Sequence, residues 1–142
     1  MTQLDRIWNG WRSQYVNEAG ARVVGAAGSV FTQLLGSGLP DEATHIVHRG
    51  AHTFVILNAF PYTSGHLMVL PYREVANLDE LTADEAGELW PTVTDAVTAV
   101  RVAYRPGGVN VGINMGTAAG GSISEHLHVH VVPRWSGDGN FM

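Results

Sequence analysis

The chain has 142 residues, 45% of them hydrophobic and 15% charged, with a formal net charge of -5 and no cysteine. That length fits one domain around one core, and the negative balance excludes a broad basic surface for nucleic acid or anionic lipid. The missing cysteines exclude disulfides, thiolate nucleophiles and CxxC zinc sites.

From the N-terminus, Leu4, Ile7, Trp8, Trp11 and Tyr15 recur at spacings of three and four. This predicts a helical arm over residues 1–16, weakened by Gly10. The stretch "MTQLDRIWNGW" lacks the unbroken apolar run of a secretory signal. No later run reaches the roughly 18 residues of a membrane span. The expectation is a cytoplasmic protein without a membrane partner. Asn17 to Ser29 carries little periodicity, and Leu34 to Thr44 reads as a loop from its Gly, Ser and Pro content.

Thr44 to Asn58 predicts two strands turning at Arg49-Gly50, and Phe60 to Pro71 a turn followed by a buried strand, His66 to Leu70. Thr82 and Glu85 match a capping box that opens one long helix. Ala86, Leu89, Trp90, Val93, Val97, Val100 and Tyr104 trace one face of it. Pro91 lies inside that pattern and is expected to kink or split the helix. A strand follows, Val109 to Asn114, and then a glycine-rich loop, "MGTAAGGSISE", leads into "HLHVHVVPRW". Strands, one helix and strands again predict an α+β fold with a mostly antiparallel sheet. With no internal repeat or boundary, residues 1–142 read as a single domain with its core over 44–135.

The last strand, expected over 126–132, alternates His126, His128 and His130 with Leu127, Val129 and Val131. In a strand, alternate residues share a face, so the imidazoles point one way and the hydrophobes into the core. Two chemistries fit. A metal could be held by a His-x-His pair. But the outer two histidines stand roughly 13 Å apart along a strand, so one ion needs ligands from elsewhere. His45, His48, His52 and His66 show no recognisable ligand spacing.

The other chemistry is nucleophilic attack on phosphorus, for which the middle histidine, His128, is the natural nucleophile. Its attacking nitrogen must be bare, so its other nitrogen must donate to a fixed acceptor. The flanking histidines then orient phosphate oxygens or supply a proton. The adjacent loop supports this. Gly116, Gly120 and Gly121 admit an anion close to the backbone, and Thr117, Ser122 and Ser124 add hydroxyl donors. No G-x-S-x-G elbow and no P-loop lysine is present. Arg73 and Arg134 are the nearest candidate cations, each more at home on a surface.

"HLHVHVV" resembles the His-x-His-x-His-x-x signature of the histidine triad (HIT) family. "LNAFPYTSGHLMVLPYR" is similar to that family's earlier Asn and Gly-His segment. "NMGTAAGGSISEHLHVHVVPRWSGDGNF" and the arm "LDRIWNGWRSQYV" resemble its bacterial branch of diadenosine tetraphosphate phosphorylases and related hydrolases.

The resemblance implies the HIT α+β fold, commonly a homodimer. It implies nucleotidyl transfer at the α-phosphate of a dinucleoside polyphosphate, through a nucleotidyl-histidine on His128. The backbone carbonyl of His126 would hold the second nitrogen of His128, and His130 and His66 would line the phosphate site. Asn58 would contact the ribose, and Asn114, Gly121 and Ser122 would lie near the phosphates. The acceptor would be inorganic phosphate in preference to water, with no cofactor.

Some relatives carry a zinc-binding CxxC pair and a histidine. Here Ser29, Thr32 and Glu74 stand at those places, so no metal is expected. The chain also stops at Met142, where relatives usually continue. Rival readings are a non-catalytic nucleotide-binding module, a hydrolase of other nucleoside phosphates or phosphoramidates, and a metal-dependent protein built on the His-x-His pair.

Overall fold

A computed structural model describes residues 27–139. The expected arm over 1–16 and the final residues 140–142 lie outside the described residues. Five strands form one sheet: β1 (Ile46–Arg49), β2 (Thr53–Leu57), β3 (Leu67–Pro71), β4 (Gly108–Ile113) and β5 (Val129–Arg134). Their order is β1-β2-β3-β5-β4, and every neighbouring pair is antiparallel. The fold is α+β, as the element order implies. Among the described residues no helix is long and apolar enough to cross a membrane.

Register decides what each face of the sheet carries. Val55 pairs Val69, Val69 pairs Val129, and Val129 pairs Ile113, so this row projects to one side. The neighbouring row, Ile56, Met68, His130 and Gly112, projects to the other. The first side is covered by α3 (Ala83–Tyr104). Leu89, Val93, Ala96 and Val100 pack there against Val55, Leu67, Val69, Val129 and Val131. The second side is partly covered by α1 (Val30–Leu35), whose Phe31 packs with Phe54, Ile56, Met68 and Leu70.

The expected capping box closes the start of α3. Thr82 Oγ1 accepts from Glu85 N at 3.2 Å and Glu85 Oε1 accepts from Thr82 N at 3.3 Å. Three expectations need correction. The buried stripe of α3 runs through Leu89, Thr92, Val93, Ala96 and Val100, whereas Trp90 is 47% and Tyr104 43% exposed. An aromatic at helical spacing joins the stripe only if the sheet reaches it.

Second, α3 is not split at Pro91 but runs through it as one helix. The carbonyl that Pro91 cannot serve belongs to Gly87, and both residues are exposed, so the lost bond falls on the solvent side. Third, Leu34 to Thr44 is not all loop. It includes the end of α1 and a single helical turn, α2 (Asp41–Thr44), capped by His45 in the left-handed region at φ 64°.

Candidate active site

The approach to β5 is anchored before the strand begins: Leu127 N donates to Val75 O at 2.6 Å. Of the three clustered histidines only His130 lies within the strand, and His126 and His128 precede it. The alternation nevertheless survives. Leu127, Val129 and Val131 are at most 2% exposed. The three imidazoles are buried too, so none is surface decoration.

Hydrogen bonding assigns each ring nitrogen. His128 Nδ1 lies 2.8 Å from the His126 carbonyl oxygen. A carbonyl only accepts, so Nδ1 carries the hydrogen and Nε2 of the neutral ring is bare. Burial pushes the His128 imidazole below its usual 6.5, offset in part by that carbonyl.

His66 is a mirror case. Its Nδ1 accepts from Tyr62 N at 3.1 Å, so its hydrogen sits on Nε2, which donates to His130 Nδ1 at 2.9 Å. With the His130 ring neutral, its own hydrogen then sits on Nε2. One imidazole thus offers a lone pair and its neighbour, 4.8 Å away between ring centroids, offers a donor. Tyr62 braces the second pair, its ring 4.3 Å from His66 and 5.5 Å from His130.

His126 is different in kind. Its Nε2 donates to Pro71 O at 2.8 Å and its Nδ1 accepts from Ser29 Oγ at 2.7 Å. Both nitrogens are used by the protein, and its side chain is fully buried. Burial, the largest influence, lowers its affinity for a proton.

A cavity of about 330 Å³ opens over this face. Its polar lining includes Asn58, Asn114, Gly121, Ser122, His128 and His130, and its apolar wall includes Val30, Phe31, Leu34, Ile56, Met68 and Ile123. Neither His126 nor His66 lines it; both stand behind residues that do. Asn58 Oδ1 accepts from Phe60 N at 2.9 Å, so the side chain that faces the cavity also closes the turn toward Pro61.

Thr117 is not among the lining residues and sits exposed on a 3₁₀ turn, Thr117–Ala119. Gly121 is closely hemmed in: a Cβ there would lie 3.0 Å from Gly116 O and 3.3 Å from Asn114 O. Its N–H is turned back to that same oxygen at 3.3 Å, folding the loop instead of facing the cavity.

Neither candidate arginine lines the cavity. Arg73 is bound to Glu85 at 2.9 Å, and Arg134 grips Asp138 through Nε at 2.8 Å and Nη2 at 2.6 Å. Among the described residues the lining holds no lysine, arginine or carboxylate, and no group of three or more His, Asp or Glu is placed to hold a metal ion.

Two features escaped the sequence. One is the apolar wall from α1. The other is the contact between Ser29 and His126, 97 positions apart, of which the only local trace is Ser29 as a plausible helix cap.

A family model described as the HIT domain matches residues 40–137. A protein named AP-4-A phosphorylase, from Mycobacterium tuberculosis (strain H37Rv), is 44% identical over 144 residues, covering 99% of this chain and 73% of its own. A bis(5'-adenosyl)-triphosphatase of Saccharomyces cerevisiae (strain S288c) is 31% identical over 91 residues, 63% of this chain and 44% of its own. Among solved structures, a HIT family protein from Bacillus subtilis superposes with a TM-score of 0.71 at 28% identity, covering 80% of this chain and 78% of that one. A Zn-bound histidine triad family protein from Mycobacterium smegmatis gives 0.66 at 27% identity, covering 77% and 76%.

Proposed function

The chain belongs to the HIT family, and from that premise we propose that it is an enzyme that cleaves dinucleoside polyphosphates at an α-phosphate through a nucleotidyl-His128 intermediate. The acceptor is inorganic phosphate in preference to water. The observation that carries this reading is the 2.8 Å contact of His128 Nδ1 with the His126 carbonyl, which leaves Nε2 bare beside the cavity. The 44% identity to a protein named AP-4-A phosphorylase supports the substrate class and the acceptor. The match to a triphosphatase supports the substrate class alone.

In the first step Nε2 of His128 attacks the α-phosphorus. The bond from phosphorus to the bridging oxygen breaks, and the departing nucleoside polyphosphate keeps the electron pair. The ring becomes cationic, and its Nδ1 hydrogen bond to the His126 carbonyl strengthens as the charge develops. His130 donates through Nε2 to an oxygen of the α-phosphate, oriented by His66 from behind. In the second step an oxygen of inorganic phosphate attacks the same phosphorus, and the N–P electron pair returns to Nε2. A nucleoside diphosphate is released.

The apolar wall of Phe31, Leu34, Ile56 and Ile123 takes a nucleobase. Asn58 faces the ribose, Asn114 and Ser122 face the phosphates, and Gly121 lines the cavity while its N–H holds the loop through Gly116 O. With no lysine or arginine among the described lining residues, charge is met by imidazole, amide and hydroxyl donors.

Incubation with diadenosine tetraphosphate, with and without inorganic phosphate, tests this. ADP and ATP appearing only with phosphate are the expected products. AMP and ATP formed regardless of phosphate would replace the acceptor by water. A nucleotidyl group absent from quenched wild-type protein during turnover would remove the covalent step.

A further inference from the structure

His126 touches no ligand space, yet its carbonyl determines which nitrogen of His128 is bare. What holds His126 is therefore a question about the nucleophile. Its ring is fixed at both ends by separate segments: Pro71, at the end of β3, takes Nε2, and Ser29 takes Nδ1. Pro71 O only accepts, so Nε2 carries the hydrogen and Ser29 Oγ–H must donate to Nδ1.

Ser29 is in turn held at two of its own atoms, and the two residues that hold it are tied to each other. Its Oγ accepts from Thr32 N at 3.2 Å, its own N donates to Glu74 Oε2 at 2.8 Å, and Thr32 Oγ1 donates to the same carboxylate oxygen at 2.7 Å. These bonds, the Ser29 N–H first, hold the Glu74 carboxyl below its ordinary range. Ser29 also caps α1, the helix whose Phe31 lies 5.6 Å from both the His126 and His128 rings.

We propose that Ser29 is a positioning residue for His128: its hydroxyl, aligned by Thr32 and Glu74, locks the His126 ring and so aims the His126 carbonyl at His128 Nδ1. This rests on His128 being the nucleophile. A displacement of the order of 1 Å at a reacting group lowers rates about 100-fold, so loosening this anchor acts on the chemical step. A mere helix cap acts elsewhere. Its loss frays α1, removes part of the apolar wall and raises KM.

Ser29→Ala in the full chain is the first test, read by kcat and KM with diadenosine tetraphosphate and phosphate. The expected result is a kcat lower by about 10- to 100-fold with KM within threefold. In the ligand-free protein, nitrogen NMR of the histidine rings should show His126 Nδ1 losing its hydrogen-bond signature and the His128 Nδ1 proton exchanging faster. Thr32→Val, which deletes the linking hydroxyl, should lower kcat several-fold, and Thr32→Ser, which keeps it, should restore wild-type kcat. That pair decides the matter if Ser29→Ala does not fold.

A kcat within threefold of wild type with an unchanged His128 Nδ1 proton would overturn the proposal. So would a raised KM alone. If the wild-type chain turns over no dinucleoside polyphosphate, the enzymatic reading falls, and the ring-nitrogen signals still decide whether Ser29 holds His126 and His128.

Discussion

The two sides of the sheet are built on opposite principles. Toward α3, Val55, Leu67, Val69, Val129 and Val131 meet Leu89, Val93, Ala96 and Val100, and any contact has several substitutes nearby. Toward α1, the same strands and the lead-in to β5 present His66, His126, His128 and His130, each ring with at least one nitrogen fixed by a named partner. The first side is tolerant because dispersion and burial are non-directional. The second is not, because a buried imidazole nitrogen with the wrong partner loses a hydrogen bond outright. The same residue spacing, period two, therefore yields stability on one side and chemistry on the other.

The sharpest way to break this contrast is His128→Ala. Turnover should fall by at least about 1,000-fold, as when a covalent nucleophile is deleted. Calorimetry should show nucleotide still bound, and the unfolding midpoint should scarcely move. Leu89→Ala is the converse experiment on the other side. Leu89 is 0% exposed, so truncation should destabilise the chain by about 2–5 kcal/mol in urea unfolding, while KM stays within twofold.

A smaller effect is expected at Glu88, which ties α3 to the β1–β2 turn. It accepts from Ala51 N at 2.9 Å, His52 N at 2.8 Å and Thr53 Oγ1 at 2.6 Å. The Thr53 hydroxyl leads in lowering its carboxyl from 4.5 to about 2. A carboxyl depressed on folding stabilises fully above its unfolded value, and that contribution is lost as pH falls from 4.5 to about 2. Glu88→Gln should thus destabilise by roughly 1 kcal/mol at pH 7, and the difference from wild type should shrink on acidification through that window. Smallest of all is Thr117→Ala, which should leave kcat/KM within twofold, since Thr117 lies outside the cavity lining.

Much of this was legible locally. The capping box at Thr82 and Glu85, the hairpin at Arg49-Gly50 and the period-two pattern from His126 to Val131 each depend on neighbours within a few residues. What escaped depended on distant partners. Trp90 and Tyr104 have the right spacing, but only the extent of the sheet decides whether that spacing meets anything. Arg73 is a candidate cation in the sequence, and the fold pairs it with Glu85 in the first turn of α3. Ser29 was notable only for not being cysteine; its contact with His126 exists because α1 folds back across the sheet.

The bond from Tyr62 N to His66 Nδ1 has a consequence for how this constellation tolerates change. The donor is a main-chain amide, and the acceptor for His128 is a main-chain carbonyl. Replacing the side chain of Tyr62 leaves its amide in place, and only proline deletes it. The orientation of the protons along His66 and His130 is thus set by a main-chain amide, where sequence drift at position 62 has least power to reverse it.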